Sequence, residues 1–364
     1  ACGVAARPDE REWEHLKCCS VRAVTFEPTR AAVYHPLMVT ISLDDIQATV
    51  GAALVAHGAS SHVAEHVAHA VRVAEGNGNK ICGLYYVESY CLQLVTGRVQ
   101  GAIDPVVVHD RPGAVRVDAR LGFAQPAFAA GFDVAVEAAR TNGICAYSIE
   151  HAHTCTSLGY FTEQFARAGM LAIGATNASA RVAPPGGSRP VLGTNPIAMA
   201  VPDGDGGIAM QFDFSTSAVA LGKITMAAAA GESIPLGWAV DANGEPTTDP
   251  TAALAGSLVS SGGYKGYGIG LLVELLASGL TGGRSSIDVP PLKTPEGVPH
   301  DLGQFYIVID PAAFSGDRFH EQLAELAAVV GEQPGARLPG SARSTPDAVE
   351  VDDSVWASIV ELAG

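Results

Sequence analysis

Two histidines near the middle of the chain have the residue type and the position of a proton-exchange site. His151 and His153 lie in the stretch IEHAHTCTSLGYF, at the end of a predicted strand and just before a predicted helix. Active sites of α/β proteins commonly lie where a strand ends, and an imidazole exchanges protons with a hydroxyl or carbonyl group near neutral pH. Each histidine, taken alone, is explained equally well as a satisfied surface residue.

A glycine-rich segment has the composition of an anion-binding site. The sequence GGYKGYGIG (262–270) leads directly into an apolar helix, where backbone N–H groups, the helix N-terminus and Lys265 would all attract an anion. It is not a P-loop, since GxxxxGK(S/T) is absent, and it lacks the third glycine and the preceding strand of the Rossmann fingerprint. A tight turn that caps a buried helix is an equally good interpretation. Lys265 gains weight because the chain has only five lysines: Lys17, Lys80, Lys223, Lys265 and Lys293.

Two loops beside predicted strands carry polar groups that suit a nucleotide. Asp213 lies in FDFSTS (212–217), at the end of a strand, where its carboxylate could accept hydrogen bonds from ribose hydroxyls. The other loop, PPGGSRPVLGTNP (184–196), contains a Gly-Thr-Asn-Pro turn that needs a specific backbone shape. Both loops are also consistent with ordinary turn chemistry.

The sequence His62-Val-Ala-Glu65-His66 matches the HxxEH pattern of a group of zinc peptidases. On a helix the two histidines lie one turn apart on one face, and His69 is close by, which suits a zinc site. The helix is rich in alanine and valine, however, and a further ligand would have to come from downstream. A solvated helix face is therefore the favoured interpretation, and we predict no metal site.

Composition and charge restrict the class of partner. The 364 residues (37.3 kDa) carry a formal net charge of −16, which argues against a nucleic-acid or anionic-membrane partner because both require basic patches. The seven cysteines, an odd number, do not fit a disulfide framework, and no apolar run reaches the length of a membrane span. We expect a reducing, cytoplasmic setting.

The hydrophobic pattern predicts an α/β domain. Predicted helices cover 43–56, 61–75, 84–96, 126–143, 158–169, 217–230, 269–283, 317–330 and 353–362. Predicted strands cover 106–109, 115–118, 144–150, 170–177, 209–215 and 305–311. The strand–helix–strand alternation between 144 and 177 indicates a substantial sheet. The Pro- and Gly-rich region before the strand at 209 breaks this alternation, and the tail after Gly331 is predicted as loop apart from its last helix.

The first 37 residues differ from the rest of the chain in their hydrophobic pattern. They show no sustained periodicity, and Met38 is the first methionine. We expect the folded domain to begin near Met38, with residues 1–37 as a poorly ordered extension.

Five segments together resemble the malate/L-lactate dehydrogenase family of the sulfolactate-dehydrogenase-like fold. They are LGTNPIAMAVP (192–202), FDFSTSAVALGKI (212–224), IPLGWAVDANGEPTTDP (234–250), GGYKGYGIGLLVELLASGLTGG (262–283) and LGQFYIVIDP (302–311). The resemblance runs from about Leu43 to about Ser341. It implies an α/β, non-Rossmann fold that binds NAD or NADP, which explains the missing Rossmann fingerprint.

The resemblance also implies two domains with different roles. Residues 121–294 are expected to form an NAD(P)-binding domain on a mixed sheet. Residues 38–120 with 295–364 are expected to form a helical domain for substrate binding and dimerisation. A homodimer is expected.

Several positions match the cofactor contacts of the resembled family. Lys265 matches the cofactor-binding lysine of its Lys-Gly-Tyr-Gly motif. The other implied contacts are Asn177, Ala178, Asp213, Phe214, Ser215, Gly340 and Ser341.

Other positions depart from the family pattern. Where the family carries Ser-His-Gly, with an arginine three residues beyond the glycine, this chain reads Ile81-Cys82-Gly83-Leu84-Tyr85-Tyr86. Tyr86 therefore replaces an arginine implied to bind a substrate carboxylate, and we predict that Arg181 meets the acid group instead. The family's catalytic histidine falls on Thr154 by ungapped counting. We predict His153, one residue earlier, as the acid/base, with His151 or Thr154 as the fallback.

The implied activity is reversible hydride transfer between NAD(P)H and C2 of a small 2-hydroxy or 2-oxo acid, such as malate, lactate, ureidoglycolate or sulfolactate. A first alternative within the same family is a cyclic-imine reductase acting on piperideine- or pyrroline-2-carboxylate. The loss of Ser-His is easier to tolerate there, because an imine is already basic. Two alternatives from other classes are a zinc peptidase using His62, Glu65 and His66, and a binding module without catalysis.

Overall fold

A seven-stranded mixed sheet is the framework of the computed structural model, which describes residues 37–341 and 343–364. The strands within these residues are β1 (Met38–Ser42), β2 (Val106–Arg111), β3 (Ala114–Asp118), β4 (Ile144–Ala152), β5 (Leu171–Thr176), β6 (Ile197–Pro202), β7 (Ile208–Phe214), β8 (Ala239–Val240), β9 (Pro246–Thr247), β10 (Ser257–Leu258), β11 (Leu302–Ile309) and β12 (Ala348–Asp352). The α-helices are α1 (Leu43–Ala56), α2 (Ser61–Gly76), α3 (Val87–Val95), α4 (Ala124–Asn142), α5 (Gly159–Arg167), α6 (Leu221–Ala230), α7 (Pro250–Ala255), α8 (Tyr264–Glu274), α9 (Arg318–Gly331) and α10 (Asp353–Ala363). None of these helices is long and apolar enough to cross a membrane.

The order of the large sheet, β2-β3-β4-β11-β5-β6-β7, brings several strand ends together. Only β3 and β4 are parallel neighbours; the other pairs are antiparallel. Because β4 and β5 both run antiparallel to β11, they share a direction, and β7 shares it too. Their C-terminal ends, after Ala152, Thr176 and Phe214, lie at one edge together with the start of β11. We call this the carboxyl edge, which is where ligands commonly bind in α/β proteins.

An aromatic core fixes the helices that lead into and out of β4. Phe128 of α4 lies 4.9–5.6 Å, between ring centroids, from Tyr147, Phe161, Phe165 and Tyr306. The hydroxyl of Tyr147 donates to the Phe128 carbonyl at 2.7 Å, so this buried polar group is paired. The aromatic core therefore holds the end of β4, and with it His153, in a fixed position.

A second core lies among α1, α2, α3 and α10. The first two helices begin at serine caps: Ser42 accepts a hydrogen bond from the Asp45 N–H at 3.0 Å, and Ser60 accepts one from the Val63 N–H at 3.2 Å. Antiparallel pairing of β1 with β12 brings the C-terminal part of the chain back onto this layer. The helical layer is thus closed by both ends of the described chain.

The first two predicted helices are confirmed, but the third begins later than predicted. Helices α1 and α2 match 43–56 and 61–75 within one residue, whereas α3 starts only at Val87. The N–H of Leu84 donates to the buried carboxylate of Glu75 at 2.8 Å, and residues 84–86 form a short 3-10 turn. A side-chain partner from α2 therefore competes with the helix that the local sequence favours.

Two segments for which the sequence predicted no strand form strands. Ile197–Pro202 forms β6 between β5 and β7, and Ala348–Asp352 forms β12 against β1. Strands stabilised by distant partners leave little local signal, because strand preference depends on what packs beside the strand. The helix predicted at 217–230 begins at Leu221, since the Ser217 hydroxyl donates to the Val219 carbonyl at 2.8 Å before it.

The large sheet takes strands from both predicted domains. Strands β2 and β3 come from the segment before residue 120 and β11 from the segment after residue 294, yet they pair with β4 and β5. The boundaries at 120/121 and 294/295 therefore do not coincide with an edge of the sheet. The predicted extension lies outside the described residues, apart from Leu37.

Gly303 in β11 packs closely against Ala277 and Thr281, and a substitution at this position tests that packing. A Cβ there would overlap the Ala277 carbonyl oxygen and the buried Thr281 hydroxyl. We expect Gly303→Ala to lower the free energy of unfolding by about 2 kcal/mol or more, because a backbone group must move to make room. Urea denaturation followed by circular dichroism measures this value.

Gly268→Ala in α8 is the matched control. A Cβ at Gly268 meets no atom within 4 Å, and alanine favours a helix more than glycine does. We expect unchanged or slightly higher stability. Equal stability of the Gly303→Ala variant and the wild type would contradict this view of the packing.

Candidate active site

The carboxyl edge gathers sequence-predicted residues from three separate segments. His153 follows β4, Asn177 follows β5 and Ser215 follows β7. His300 and Asp301 directly precede β11, which lies between β4 and β5 in the sheet. Residues far apart in sequence therefore meet at one edge because their strands run in the same direction.

His153 is a buried and uncharged histidine. Its side chain is 2% exposed, packs against Phe123 and Tyr90 with ring centroids 5.0 and 5.5 Å away, and stacks on His300 at 4.2 Å. Burial lowers the pKa of His153 well below its ordinary value, and the neighbouring His300 and Arg98 lower it further. The imidazole is therefore neutral at physiological pH.

Gln93 fixes which nitrogen of His153 carries the proton. The amide nitrogen of this fully buried side chain donates to the carbonyl oxygens of Leu292 at 2.7 Å and Thr294 at 2.8 Å. Carbonyls only accept, so the amide oxygen must face Nε2 of His153, 2.7 Å away, and Nε2 must carry a hydrogen. Nδ1 is then left with a lone pair and makes no hydrogen bond of normal geometry with the described residues, although the backbone of Thr154 opposes part of the fall in the pKa of His153.

His300 is a second buried histidine, which the sequence did not single out. It is 1% exposed, and neither ring nitrogen has a hydrogen-bond partner within the described chain. Burial lowers the pKa of His300 to about 3, and the charge of Arg98 contributes. Buried nitrogens of this kind are normally completed by a ligand or an ordered water.

His151 experiences the opposite electrostatic environment. Its Nδ1 lies 2.7 Å from Oδ1 of Asp301, and Oδ2 of the same carboxylate lies 3.6 Å from the guanidinium of Arg284. Partial burial lowers the pKa of His151, but the hydrogen bond and charge of Asp301, with Asp118 and Glu150, outweigh it and raise the pKa. The pairing with Asp301 therefore favours the protonated, cationic form of His151.

Thr154 is buried, and its hydroxyl supports the loop after β4. Its Oγ1 accepts from the Thr156 N–H at 3.4 Å, and the preceding N–H of His153 donates to the Gly122 carbonyl at 2.8 Å. The three residues predicted for catalysis thus lie in one short segment with different environments: His153 faces inward, His151 is paired with Asp301, and Thr154 closes a turn.

Arg98 anchors the loop that holds Gln93. Its guanidinium is 2% exposed and donates to the carbonyls of Pro291 at 2.9 Å and Val298 at 3.1 Å, and to both oxygens of Thr294. No carboxylate in the described residues pairs with it. An uncompensated buried cation therefore lies near His153 and His300 and adds to burial, the main cause of the lowered pKa of both histidines.

Asp213 lines a polar cleft of about 330 Å³ beside α5. Its Oδ2 accepts from the Gly159 N–H at 2.8 Å and from the Ser157 hydroxyl at 3.4 Å, so its Oδ1 remains for another donor. Burial raises the pKa of Asp213, although these two bonds and the charge of Arg343 oppose that rise. Arg343 donates to Gln211 at 2.9 Å and lines the same cleft.

The turn that contains Gly340 and Ser341 docks beside this cleft. The Gln211 N–H of β7 donates to the Pro339 carbonyl at 2.9 Å. Gly340 has a positive φ of 76°, and a Cβ there would approach the Gln211 carbonyl oxygen to 2.7 Å. The Ser341 hydroxyl donates to the Leu338 carbonyl at 2.8 Å. Only glycine permits this close contact with β7.

The residues after β5 present a buried acceptor. Asn177 is 2% exposed; its amide nitrogen donates to the Arg284 carbonyl at 2.8 Å, while its Oδ1 is buried without a partner among the described residues. The carbonyl of Ala178 lies so close to Gly193 that a Cβ there would overlap it. The segment is therefore rigid and offers one open acceptor.

The residues after β7 lie next to the start of α8. Phe214 is half-exposed and stacks on Phe212 at 4.8 Å, and the Ser215 hydroxyl donates to that of Ser217 at 2.9 Å, since Ser217 uses its own hydrogen for the Val219 carbonyl. Both side chains therefore stay available on the surface of this edge.

Lys265 is the second residue of α8 and is exposed. No side chain caps the start of α8, and Gly262 and Gly263 both have positive φ values. The Ser261 N–H donates to the Thr216 carbonyl at 2.9 Å, which ties the glycine-rich segment to the residues after β7. The predicted anion site therefore belongs to the carboxyl edge.

Tyr86 is linked to His153 through a second aromatic ring. It stacks on Tyr90 at 6.0 Å, and Tyr90 contacts His153 at 5.5 Å. Burial raises the pKa of Tyr86 to about 12, and the nearby Cys82 and Tyr85 contribute. Tyr86 is therefore a neutral residue close to the candidate acid/base.

Arg181 is exposed, and its backbone lies between two neighbouring segments. Its N–H donates to the Leu192 carbonyl at 2.7 Å, and its carbonyl accepts from the Leu258 N–H at 2.8 Å. These bonds fix the backbone position and leave the orientation of the guanidinium open.

The HxxEH helix does not assemble a metal centre in the described part of the chain. The rings of His62 and His66 lie 4.6 Å apart, edge to face, while His69 forms a 3.0 Å hydrogen bond with Tyr160. No group of three or more His, Cys, Asp or Glu side chains in residues 37–341 and 343–364 is placed to hold a metal ion. The zinc-peptidase alternative therefore lacks a third ligand.

Comparison with known proteins identifies the family. The profile of the family described as malate/L-lactate dehydrogenase matches residues 41–359. The chain belongs to the malate/L-lactate dehydrogenase family. The predicted resemblance is thereby confirmed over nearly all of the described chain.

Relatives in the malate/L-lactate dehydrogenase family carry two kinds of activity. Delta(1)-pyrroline-2-carboxylate/Delta(1)-piperideine-2-carboxylate reductase of Pseudomonas putida is 37% identical over 333 residues, 90% of this chain and 96% of the relative. (2R)-3-sulfolactate dehydrogenase (NADP(+)) of Chromohalobacter salexigens is 41% identical over 303 residues, 83% of this chain and 90% of the relative. The crystal structure of delta1-piperideine-2-carboxylate reductase from Pseudomonas syringae pvar. tomato has a TM-score of 0.83 and 35% identity, covering 89% of this chain and 99% of that chain. The predicted fold class is confirmed.

Several residues of this family member's site escaped the sequence analysis. Gln93, Arg98 and His300 belong to no motif, and their role depends on contacts with residues about 60 to 200 positions away. Arg343 lies two residues beyond the predicted contact Ser341. Its proximity to a predicted turn was the one local signal that could have found it.

The ion pair of His151 and Asp301 predicts a pH-dependent contribution to stability. A raised folded-state pKa stabilises the protein below the ordinary histidine pKa of about 6.5, and this stabilisation is lost as the pH rises through the raised value. Asp301→Asn removes it while keeping a residue that tolerates the φ of 55° at this position. We expect the destabilisation by this variant to be about 0.5 kcal/mol larger at pH 6 than at pH 9, measured by urea unfolding at both pH values.

Asp310→Asn at the other end of β11 is the matched control. Its carboxylate accepts a backbone N–H from Ala312 at 2.9 Å and has no histidine partner within the described residues. We expect the same destabilisation at pH 6 and pH 9. A pH-independent effect of Asp301→Asn as well would show that the ion pair does not operate.

Proposed function

We propose that the chain is an NAD(P)-dependent oxidoreductase that transfers a hydride between the nicotinamide and C2 of a small 2-hydroxy or 2-oxo acid. The observation that carries this proposal is the unpartnered Nδ1 of the neutral His153, beside the edge where the predicted cofactor contacts meet. The family supports it, since the relative from Chromohalobacter salexigens is named for NADP(+)-dependent oxidation of a hydroxy acid.

The groups at the carboxyl edge fit a dinucleotide. Lys265 and the uncapped start of α8 attract phosphate oxygens. The buried Oδ1 of Asn177 accepts a hydrogen bond, and Oδ1 of Asp213 is suited to a ribose hydroxyl. Further contacts are assigned to Ala178, Phe214, Ser215, Gly340 and Ser341. NAD or NADP, when bound, supplies or accepts the hydride.

His153 exchanges the substrate proton. In the direction of oxidation, its Nδ1 accepts the hydroxyl proton of the substrate while Gln93 holds Nε2–H in place. In the direction of reduction the same nitrogen returns the proton. The low pKa makes protonated His153 a strong acid that is seldom populated at neutral pH. His151 and Thr154 remain the fallback candidates.

The acid group of the substrate requires a cation, because Tyr86 is neutral. We keep Arg181 as a candidate on account of its exposed position in the loop after β5. The substrate would then lie between the cofactor edge and Tyr86.

A cyclic-imine carboxylate reductase is the second candidate, and the low pKa of His153 favours it. An imine nitrogen is basic and can bring its own proton, so hydride transfer to it does not require a protonated enzyme group. The relatives from Pseudomonas putida and Pseudomonas syringae are named for this activity. The division into an NAD(P)-binding part (121–294) and a substrate and dimerisation part remains a proposal for both candidates.

We also propose a cytoplasmic homodimer. Exposed leucines cluster on α8 and the π-helical turn Leu275–Gly279 that follows it; they are Leu271, Leu272, Leu275 and Leu280. Contiguous exposed apolar side chains commonly mark an interface. All four cysteines in the described residues are free thiols, which supports a reducing compartment.

The two candidate activities respond differently to loss of Nδ1. His153→Gln keeps an N–H that can donate to Gln93 but removes the acceptor nitrogen. We expect oxidation of 2-hydroxy acids to fall by about 10²–10⁴-fold, whereas reduction of cyclic-imine carboxylates keeps at least about a third of its rate. The measurement is the change in nicotinamide absorbance with NAD(H) and NADP(H) against a panel of both substrate classes.

His151→Gln tests the fallback candidate, and under the assignment of His153 it should retain most of both activities. NAD(P)H binding, followed by fluorescence, should be unchanged in both variants, which verifies that they are folded. A His153→Gln enzyme that oxidises 2-hydroxy acids at nearly the wild-type rate would remove His153 from the proposed role.

The proposed dimer predicts a mass twice the 37.3 kDa of one chain. Leu275→Asp places a charge on the apolar cluster and should shift the protein to the monomer mass, measured by light scattering after size exclusion. Leu326→Asp on α9, an exposed leucine outside the cluster, should leave the mass unchanged. A monomeric wild type would contradict the proposal.

A further inference from the structure

We propose that Lys293 is the cation that binds the carboxylate of the substrate, an inference that rests on the proposed function. Its ammonium nitrogen lies 3.5 Å from the centroid of the Tyr85 ring and 5.8 Å from that of Tyr86. The two rings meet edge to face, 5.5 Å apart. Lys293 therefore places a positive charge near Tyr86, the neutral residue that replaces the arginine of the resembled family.

The backbone of Lys293 is fixed on both sides. The carbonyls of Leu292 and Thr294, which flank it directly, both accept from the amide nitrogen of Gln93 at 2.7 and 2.8 Å. Arg98 holds the same loop through Pro291 and Thr294. The exposed side chain of Lys293 thus rises from an anchored loop, and its ammonium group rests on an aromatic face that restricts it further.

The same glutamine connects the backbone on either side of Lys293 to the candidate acid/base. The oxygen of Gln93 binds Nε2 of His153 at 2.7 Å, while its nitrogen binds the residues on either side of Lys293. A row of aromatic rings follows the same path, from Tyr86 to Tyr90 at 6.0 Å and from Tyr90 to His153 at 5.5 Å. A 2-oxo acid or a cyclic-imine 2-carboxylate carries its carboxylate on the carbon next to the reacting carbon. Such a substrate needs a cation and a proton-exchanging group close together.

The ammonium of Lys293 is available for a ligand. No carboxylate in residues 37–341 and 343–364 lies within ion-pair distance of it, although the chain carries 38 acidic residues and a net charge of −16. Lys80, which lines one pocket together with Tyr85, donates instead to the Glu350 carbonyl at 2.8 Å. A lysine that remains without an acidic partner in so acidic a chain is suited to an external anion.

The kinetic test uses the holoenzyme with Lys293→Gln, Lys293→Arg and Lys80→Gln. We expect KM for a carboxylate substrate to rise about tenfold or more in Lys293→Gln, with kcat changed by less than about threefold. Lys293→Arg, which keeps the charge, should restore KM to within about threefold of the wild type. Lys80→Gln removes an equal charge from the same neighbourhood and should leave KM unchanged.

A binding test separates this inference from the proposed function. Pyridine-2-carboxylate and pyridine-2-carboxamide have similar shapes but differ in charge, and both can be titrated calorimetrically into the NADP+-loaded protein without any turnover. Lys293→Gln should weaken the carboxylate about tenfold and leave the carboxamide unchanged. Arg181→Gln serves as the rival variant.

Several outcomes would overturn the assignment of Lys293. These are a KM and a carboxylate affinity within twofold of the wild type in Lys293→Gln, an equal loss for both pyridine probes, or a loss of carboxylate binding confined to Arg181→Gln. A wild type that binds neither probe overturns it as well. If the wild type turns over neither substrate class but shows the charge-selective loss on Lys293→Gln, the proposed function fails and the anion site stands.

Discussion

The carboxamide of Gln93 is buried between one imidazole and two carbonyl groups, and this environment permits only one arrangement of its atoms. Its nitrogen must face the carbonyls of Leu292 and Thr294, so its oxygen must face His153. The proton of His153 is thereby placed on Nε2, and the lone pair is placed on Nδ1. The loop that carries Lys293 is fixed by the same side chain. One satisfied amide therefore sets both the protonation of the candidate base and the position of the candidate anion site.

Burial and nearby charges shift the pKa values of two histidines in opposite directions, although the histidines are only two residues apart in the sequence. His153 is enclosed with His300 next to the unpaired guanidinium of Arg98, which lowers its pKa. His151 is partly exposed and bonded to Asp301, which raises its pKa. The φ of 53° at His151 is the change in backbone direction that turns neighbouring side chains into these different surroundings. Pairs of titratable groups with divergent pKa values are typical of sites that exchange protons.

The sequence predicts those parts of the fold and site whose signal is local. The ends of β4 and β7 could be located from strand-like segments, so His153 and Asp213 were found as candidates there. Long motifs indicated the family, and Asn177 and Ser215 followed from that resemblance. The pairing of β1 with β12 and the insertion of β6 depend on partners far away in sequence and left no such signal. Gln93 and His300 look like ordinary polar residues in the sequence. Their roles depend on burial and on contacts with His153 that form only when the chain is folded.

The protonation of His153 is the central claim, and nitrogen-15 NMR of histidine-labelled protein measures it directly. Comparison with His153→Gln assigns its two ring-nitrogen signals among the eleven histidines of the chain. The account predicts a protonated Nε2 and an unprotonated Nδ1 that stay unchanged from about pH 8 down to about pH 5, since burial holds the pKa far below the ordinary value of about 6.5. A ring that titrates near that ordinary value, or a proton on Nδ1, would contradict it.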